Sequence, residues 1–398
     1  MLNIAPQIKL KKGREKPVLR RHPWIYSGSI DRVLGAPESG ETVKILSHRG
    51  QFLAWGAYSP RSQIRVRVWS RKESARIDRE FFRQRIQRAV AFRQAIDLPG
   101  NAGRLVYGES DGIPGLIIDK YANHLVVQFL SAGVERWRED ILQVLEDVVS
   151  PDSIYERSDA EVRKLEGLEE QVGLLSGVQP PDAVRIEESG RRYLVDIRRG
   201  HKTGFYLDQR ENRDLVQGLA AGKTVLDGFS YSGGFSVAAL TGGAASVTAL
   251  DSSSEALSMA AENVALNELP EDRFSRLEGD AFAELRTLRD QNRRWDLIIL
   301  DPPKFAPTSS HARQAARGYK DINLWAFKIL KPGGTLVTFS CSGGIDRAFF
   351  QKIIADAALD AGVRARMIRQ LWQGPDHAVD LAYPEGDYLK GFVVKRQD

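Results

Sequence analysis

Hydrophobic and polar positions follow three successive patterns along this chain. Over roughly the first 70 residues, short apolar runs alternate with glycine and proline, which predicts a small β-rich module. A helical spacing of apolar residues follows at about residues 76 to 97, then strands within residues 104 to 130 and an amphipathic helix from Trp137 to Val149. From about Arg185, strands and helices alternate, which predicts a parallel sheet with crossover helices.

These changes of pattern predict three domains. Residues 1–72 form the β-rich module, residues 73–183 a middle α+β domain, and residues 184–398 an α/β domain. The polar segment from Ser70 to Ser74 marks the first boundary. The middle domain contains no cluster of residues that we can assign to chemistry.

Four predicted strands of the α/β domain lead to candidate site residues. They are Val225-Leu226-Asp227 with the glycine-rich loop after it, Ser246 to Asp251, a strand that ends before Asp280, and Trp295 to Leu300 followed by Asp301. In doubly wound sheets, ligands bind at the carboxyl ends of the strands. We therefore expect these acids to meet at one edge of the sheet.

Acids at successive strand ends suit S-adenosyl-L-methionine, whose amino group, ribose hydroxyls and adenine amine are hydrogen-bond donors. We expect Asp251 to accept from the ribose and Asp280 to approach the adenine. Asp227 would border the methionine moiety. The loop residues expected to contact the cofactor are Phe229, Ser230, Tyr231 and Gly233. Asp251 could equally hold the ribose of NAD, but the loop lacks the G-x-G-x-x-G spacing.

The motif Asp301-Pro302-Pro303-Lys304-Phe305 indicates nucleobase handling. Prolines lack N–H groups and hold the chain extended, so their carbonyls can face the donor edge of a planar base. We expect Phe305 to stack on the base. Lys304 would steady charge on the base oxygen or touch a phosphate. The alternative, a Pro-Pro pair that only ends a strand and a solvated Lys304, stays open.

Cys341 is the only cysteine among the 398 residues, and it follows a predicted strand at Thr335 to Val337. A single thiol cannot form an intramolecular disulfide, so it is either a small core residue or a nucleophile. Its position past a strand end, in a domain that reads as methyl-transferring, favours attack on a pyrimidine ring.

Positive charge is concentrated near the N-terminus. Residues 1 to 100 hold 21 Lys and Arg against 8 Asp and Glu, a net charge of +13, whereas the other 298 residues hold 36 against 44, a net charge of −8. This asymmetry favours a nucleic-acid-binding front end, with a solvated basic face as the alternative. The expected RNA contacts are Arg20 and Arg21, beside aromatic residues, and Arg65 and Arg67, on one face of a predicted strand.

Composition sets broad limits. With 42% hydrophobic and 27% charged residues, the chain is typical of a globular protein. No apolar run approaches the ~18 residues that span a bilayer, and Met1 to Pro17 has no hydrophobic signal core. A single cysteine argues against a disulfide scaffold. We expect a cytoplasmic protein with neither a membrane partner nor a metal site.

Several motifs together resemble one family. Residues 185–398 resemble a class I methyltransferase, and Asp301 to Phe305 with Ser340-Cys341-Ser342 resemble the bacterial 23S ribosomal RNA cytosine-C5 methyltransferases of the RlmI type. Lys202 to Arg210 and Tyr383 to Gly386 resemble further segments of that family. Residues 1–70, which include His22-Pro23-Trp24, resemble its PUA domain, an RNA-binding β-barrel.

This resemblance implies an α/β, Rossmann-like class I methyltransferase domain preceded by a PUA-like barrel and the α+β middle domain. It implies S-adenosyl-L-methionine as cofactor, with Gln209 and Arg210 near it, and 23S ribosomal RNA as partner. Cys341 would add to carbon 6 of cytosine so that carbon 5 can take a methyl group, and a nearby helix N-terminus would favour its thiolate. Asp301 would hydrogen-bond the ring. The base that removes the C5 proton is Asp301 or a water it holds, with His377 a weaker candidate.

Two other functions stay open. One is base N-methylation, for example at N7 of guanine, with Cys341 purely structural. The other is an RNA-binding or ribosome-assembly protein without turnover. The sequence also leaves open which nucleotide is modified, whether the substrate is naked RNA or a partly assembled large subunit, and whether the chain forms a homodimer.

Overall fold

The computed structural model describes residues 5–305 and 312–398. The chain divides into two compact units. The first contains the residues up to Ile186 together with Val195–Leu207 and Pro375–Gly386, and the second contains Glu187–Leu194, Asp208–Gly374 and Asp387–Asp398. Two short segments that follow Ile186 in the sequence thus belong to the first unit.

The N-terminal part of the first unit is a six-stranded sheet. Its elements are β1 (Gln7–Leu10), α1 (Lys16–Leu19), β2 (Trp24–Tyr26), β3 (Ile30–Leu34), β4 (Thr42–Leu46), β5 (Phe52–Tyr58) and β6 (Ile64–Ser70). The strands are ordered β2-β6-β5-β4-β1-β3. Ile8, Val43, Ile45 and Val66 lie fully buried in its own hydrophobic core. The β-rich module predicted from the sequence is therefore confirmed.

The middle part of the first unit has a separate core around a five-stranded sheet. Its elements are α2 (Arg79–Ala95), β7 (Ala102–Tyr107), β8 (Leu116–Tyr121), β9 (His124–Phe129), α3 (Ala132–Arg136), α4 (Arg138–Val149), β10 (Ser153–Ser158), α5 (Val162–Glu166) and β11 (Gln171–Gly177). Phe82 and Ile86 of α2 pack into this core, as their helical spacing predicts. Helix α2 begins at Arg79 because the Asp78 side chain accepts from the Phe81 N–H at 3.0 Å. The boundaries at residues 72/73 and 183/184 stay predictions.

The second unit is built on a seven-stranded sheet. The hairpin β12 (Val184–Glu188) and β13 (Arg191–Val195) contains residues of both units. The later elements of the second unit are α6 (Arg210–Leu219), β14 (Thr224–Gly228), α7 (Gly234–Thr241), β15 (Ser246–Asp251), α8 (Ser254–Leu266), β16 (Phe274–Glu278), α9 (Ala281–Asp290), β17 (Trp295–Leu300), α10 (Ala312–Ile329), β18 (Leu330–Ser340), α11 (Arg347–Ala361), β19 (Ala365–Leu371) and β20 (Lys390–Arg396). The strand order is β16-β15-β14-β17-β18-β20-β19. The first five strands are parallel and β20 is antiparallel.

The position of the site follows from this topology. The chain runs from β14 outward to β16, then returns to β17 on the other side of β14, so the order reverses there. At such a switch point the loops diverge and leave a crevice at the carboxyl ends of the strands. Leu297 to Leu300 of β17 are fully buried, because the strand is covered on both faces. The expected α/β fold class is confirmed.

Strand β6 corrects one sequence-based expectation. Its alternation predicts an open face that carries Arg65 and Arg67, but Val66, Arg67, Val68 and Trp69 are all buried. Trp69 instead packs into the core of the middle part, edge-on against Phe82. Within the described ranges, no helix is both long and apolar enough to cross a membrane.

Candidate active site

Asp227 lies at the carboxyl end of β14, completely buried. Ser236 Oγ donates to its Oδ2 at 2.6 Å, whereas its Oδ1 has no hydrogen-bond partner. Burial, together with the negative charges of Asp301 and Asp251, raises the pKa of Asp227 to about 7 despite the Ser236 hydrogen bond, which lowers it. Burying a carboxyl group with only one oxygen hydrogen-bonded costs free energy of folding, and such a group therefore indicates a functional site.

The loop after β14 is backbone-strained. Phe229 and Tyr231 both have positive φ angles, 63° and 47°, a backbone conformation that residues other than glycine rarely adopt. Gly233 also has a positive φ, and a Cβ there would lie 2.8 Å from the Cβ of Ala260. Only glycine therefore allows the loop to turn this closely over α8 and start α7.

Asp251 and Asp280 each hold the backbone at a strand end. Asp251 Oδ2 accepts from the Tyr231 N–H at 2.8 Å, which ties the β14 loop to the end of β15. Its Oδ1 accepts from the Ser253 N–H at 3.0 Å. Asp280 is exposed and caps α9 by accepting from the Ala283 N–H at 3.0 Å. Both acids lie where the sequence predicts them, at the edge that contains Asp227.

The residues at this edge fit S-adenosyl-L-methionine. Besides Asp227 Oδ1, the buried hydroxyls of Ser230 and Ser232 have no hydrogen-bond partner, so the loop presents three unsatisfied polar atoms. Gly228 adds room, because a Cβ there would lie 3.0 Å from Leu300 Cδ2. An anionic Asp227 would attract the cofactor's ammonium group, and the serine hydroxyls can donate or accept.

Asp301 begins the loop after β17 and is held by a chain of amides. Its Oδ2 accepts from Gln209 Nε2 at 3.0 Å, and Gln209 Oε1 accepts from Asn212 Nδ2 at 2.5 Å. Asn212 in turn donates to the Trp372 carbonyl at 3.0 Å. The resemblance suggested that Gln209 contacts the cofactor. That contact stays a prediction; in the structure, the Gln209 side chain hydrogen-bonds Asp301.

The residues after Asp301 differ in exposure. Pro302 is buried, whereas Pro303 and Lys304 are exposed and thus available to a base or a phosphate. Phe305 corrects an expectation: its ring packs against Tyr319 and Phe282, with centroid separations of 4.7 and 5.6 Å. It contributes to the hydrophobic core beside the site, and these ring contacts do not support base stacking.

Cys341 follows the last residue of β18 and is half-buried. Lys390 lies opposite Ser340 in the antiparallel pair of β18 and β20, is only 5% exposed, and donates from Nζ to the Ser342 carbonyl at 2.9 Å. Burial lowers the pKa of Lys390 to about 8, while the charge of Cys341 counteracts that shift. Sequence reasoning missed this cation. The signal was a lysine directly before the buried run Gly391 to Val394.

The helix N-terminus expected near Cys341 has its own acid. Asp346 precedes α11 and accepts from the Phe349 N–H at 2.7 Å, so a carboxylate already occupies this positive end. Lys390 is therefore the better-supported source of positive charge for a thiolate. A second neighbour is Tyr319, whose Oη lies 3.0 Å from Ser342 Oγ. Burial is the main cause that raises the pKa of Tyr319 to about 12, and the charge of Cys341 acts in the same direction, so the phenol stays neutral.

Two sequence candidates belong to internal ion clusters. Arg210 is 1% exposed, with its Nη1 3.6 Å from Glu188 Oε2, and its predicted cofactor contact stays a prediction. In the first unit, Arg67 Nη1 lies 2.6 Å from Glu166 Oε1 and its Nε 3.6 Å from Glu109, so we correct its RNA-binding role.

The other basic candidates are accessible to different degrees. Arg20 and Arg21 are exposed, whereas Arg65 is half-buried and donates to the Pro60 carbonyl. In the same unit, His377 is 2% exposed with Nδ1 2.9 Å from Asp376 Oδ1, which gives it a structural role. Among the residues described, no group of His, Cys, Asp and Glu is arranged to hold a metal ion.

The sheet order, the strained loop over buried Asp227 and the acids at successive strand ends define a class I S-adenosyl-L-methionine-dependent methyltransferase. Comparison with family models agrees. The model for S-adenosylmethionine-dependent methyltransferases matches residues 168–377, and that for the PUA-like domain matches residues 8–71.

Full-length relatives identify the family. The Ribosomal RNA large subunit methyltransferase I of Vibrio vulnificus (strain CMCP6) is 53% identical over 396 residues, which cover 98% of this chain and 100% of that protein. The protein of the same name from Shewanella amazonensis is 50% identical over 394 residues, with the same two coverages. The chain belongs to this family of S-adenosyl-L-methionine-dependent methyltransferases with a PUA-like domain.

Solved structures share the fold over nearly the whole chain. A protein from Streptococcus mutans assigned as a SAM-dependent methyltransferase is 23% identical, with a TM-score of 0.84 over 98% of this chain and 99% of that one. A structure solved in complex with SAH is 24% identical, with a TM-score of 0.86 and the same coverages.

Proposed function

We propose that the protein methylates carbon 5 of a cytosine in 23S ribosomal RNA through a covalent bond between Cys341 and carbon 6. The observation that carries this proposal is the single thiol at the end of β18, next in the sheet to β17 and Asp301, with the buried ammonium of Lys390 beside it. The names of the full-length relatives, ribosomal RNA large subunit methyltransferase I, support ribosomal RNA as the substrate.

The first step needs a thiolate. Carbon 5 of cytosine is a weak nucleophile, and addition of a thiolate to carbon 6 converts the ring into an enamine whose carbon 5 is electron-rich. Lys390 is protonated below about pH 8. Its positive charge therefore lowers the cost of ionising Cys341 near neutral pH.

Asp301 orients the ring and then accepts a proton. Gln209 fixes one carboxylate oxygen through the 3.0 Å hydrogen bond, which leaves the carboxylate in a defined orientation toward the loop edge. When S-adenosyl-L-methionine is bound, it supplies an electrophilic methyl group. After carbon 5 has taken the methyl group, Asp301, directly or through a water, removes the C5 proton. The C5–H electron pair re-forms the C5–C6 double bond and expels the Cys341 thiolate from carbon 6.

The test is nucleoside analysis of unmodified large-subunit RNA after incubation with protein and methyl-labelled S-adenosyl-L-methionine. Wild type is expected to place label in 5-methylcytidine, and Cys341→Ala to place none. Label that persists in the Ala variant, or that appears in a methylated purine, would reject the covalent route and favour base N-methylation. Naked RNA and partly assembled subunits, assayed in parallel, identify the better substrate.

Asp301→Asn tests the elimination step separately. If Asp301 removes the C5 proton, the variant should add to the RNA and transfer the methyl group but release product slowly. A covalent protein–RNA adduct should then accumulate, stable in denaturant and absent from the Asp301→Asn, Cys341→Ala double variant. Since Cys341 is the only thiol, the adduct has one attachment site. An Asn variant that turns over at the wild-type rate would remove Asp301 from this role.

A further inference from the structure

The first unit contains an open cleft of about 710 Å³ where β6, the segment after it and α2 come together. We call it the arginine cleft. Six cationic side chains line it: Arg21, Arg71, Lys72, Arg76, Arg85 and Arg88. Within the described residues, none of the six forms an ion pair with a carboxylate. Only Arg21 is among the residues that the sequence predicted to contact RNA; the other five were not singled out.

The carboxylates that line the same cleft are committed elsewhere. Asp78 caps α2, and Glu80 Oε1 accepts from Gln84 Nε2 at 3.0 Å. Glu109 Oε1 accepts from Trp24 Nε1 at 2.8 Å and lies 3.6 Å from Arg67 Nε. Asp380 Oδ1 accepts from the Ala382 N–H at 2.7 Å. None of these carboxylates forms an ion pair with one of the six cations, although Asp380 acts electrostatically on Arg71. The cations outnumber the carboxylates, so the cleft keeps a net positive charge that a polyanion would neutralise.

Arg85 and Arg71 are held in place by uncharged groups. Arg85 Nη2 donates to the Trp69 carbonyl at 2.8 Å, and its guanidinium lies 4.3 Å from the centre of the Phe81 ring. Arg71 donates to the carbonyls of Val18 and His22, at 3.3 and 3.1 Å. Such anchoring removes side-chain entropy but leaves the positive charge unpaired, which is the arrangement expected of a preformed phosphate site.

Glycine and charge repulsion support the same interpretation. Gly112 has a positive φ, and a Cβ there would come within 1.9 Å of Arg85 Nη1, so a side chain at this position would displace the guanidinium from its present place. Burial, with repulsion from Arg88 and Arg71, lowers the pKa of Arg85 to about 10. Bound anions would relieve that repulsion.

We propose that the arginine cleft binds consecutive phosphates of the substrate RNA backbone. RNA is favoured over a free phosphate because six cations surround one open cleft, more than a single phosphate can pair with. It is favoured over an acidic protein because the full-length relatives are named ribosomal RNA methyltransferases. The inference rests on the proposed function for the identity of the RNA, but the binding that it predicts needs no turnover.

The experiment compares two double variants of the full-length protein that remove the same charge from the same helix. Arg85→Gln, Arg88→Gln removes cleft cations. The control, Arg79→Gln, Arg83→Gln, removes arginines that already pair with Asp140 and Asp147. The probe is an unmodified 23S ribosomal RNA fragment, and filter binding is measured from 50 to 300 mM salt.

The cleft variant is expected to bind RNA at least ~10-fold more weakly at 150 mM salt, with a salt slope reduced by roughly 1.5, the contribution of about two phosphates. The control should change affinity by less than about threefold, the scale of screened surface charges. Equal effects of the two double variants would overturn the proposal. So would tight binding of inorganic phosphate or of polyglutamate that the cleft variant loses while RNA binding is kept.

Arg85→Lys gives a second, milder test. It keeps the charge but loses the planar donor pair and the contact with Phe81, and it should weaken RNA binding by roughly 3- to 10-fold. If Arg85→Lys and the Arg85→Gln, Arg88→Gln variant both bound RNA as tightly as wild type, the arginine cleft would be rejected as an RNA-binding site. If the proposed cytosine chemistry failed instead, RNA binding by the cleft would still be measured, so the two failures are distinguishable.

Discussion

Replacing Asp227 with asparagine isolates the cost of keeping a carboxylate buried at the end of β14. The pKa of Asp227 is raised from 3.8 to about 7, chiefly by burial. At 1.36 kcal/mol per pKa unit, ionisation of this group in the folded, cofactor-free protein costs about 4 kcal/mol. Asparagine avoids the charge and can still accept the Ser236 hydrogen bond. Its amide nitrogen would then take the position of Oδ1, where no partner lies, at a cost of roughly 1 to 3 kcal/mol.

The pH dependence has a defined sign. Between pH 3.8 and about 7 the folded wild type binds more protons at Asp227 than the unfolded chain does, so this group lowers stability as pH rises. Above about pH 7 the penalty is complete. The asparagine variant is therefore expected to be more stable than wild type by about 1 to 3 kcal/mol at pH 8 and to lose that advantage below about pH 5.

The assay is urea unfolding of both cofactor-free proteins from pH 4.5 to 8, with Asp296→Asn as the control. Despite its partial burial, hydrogen bonds from Lys331 and Thr224 lower the pKa of Asp296 to about 2, so its loss should destabilise throughout this range. If the free energy of unfolding changed with pH in the same way for wild type and Asp227→Asn, the reasoning would be refuted. The Asp227→Asn variant should also bind S-adenosyl-L-methionine more than ~10-fold more weakly by calorimetry, since the cofactor's ammonium group loses its anionic partner.

Three further predictions concern the rest of the site. Lys390→Met should slow iodoacetamide alkylation of Cys341 at pH 7 about tenfold, whereas Lys395→Met, on the same strand, should leave it near wild type; equal rates would remove the cation from thiolate activation. Gln209→Ala should lower kcat roughly 10- to 100-fold with cofactor affinity within about twofold; a matching loss of cofactor affinity would return this residue to the cofactor. Gly233→Ala should cost about 1 to 3 kcal/mol of stability in thermal unfolding, because both its φ angle and the contact with α8 exclude a side chain.

The strands of the catalytic sheet could be predicted from sequence because they are buried on both faces. Ser246–Asp251 and Trp295–Leu300 have the bounds predicted for them, and the acids after them lie at one edge as the topology requires. A parallel strand covered on both sides reads as a continuous apolar run, which is a strong signal. The prediction of an open face on β6 was wrong for a related reason. Its alternation is real, but a second core covers the face that carries Trp69.

Side chains that act together from distant parts of the chain could not be predicted. Lys390 and Ser342 are 48 positions apart, and Gln209 and Asp301 are 92 apart. A lysine directly before a buried run is a local signal of burial, but nothing local in the sequence shows that it lies beside a thiol. Nor does the local sequence show whether a glutamine bonds an acid or a cofactor. Only the order of β18 and β20, and the start of α6, bring these pairs together.

The same limit explains why charge counting found the basic half of the chain but not its arginine cleft. An arginine contributes to a binding surface only if no carboxylate already pairs with it. Arg67 and Arg93 add to the net charge of +13 over the first 100 residues, yet both are buried against acids, Glu166 and Asp111. Arg85, by contrast, is held by a carbonyl and an aromatic ring. The partners that neutralise a cation are fixed by tertiary packing, so the charge available to RNA is a property of the fold.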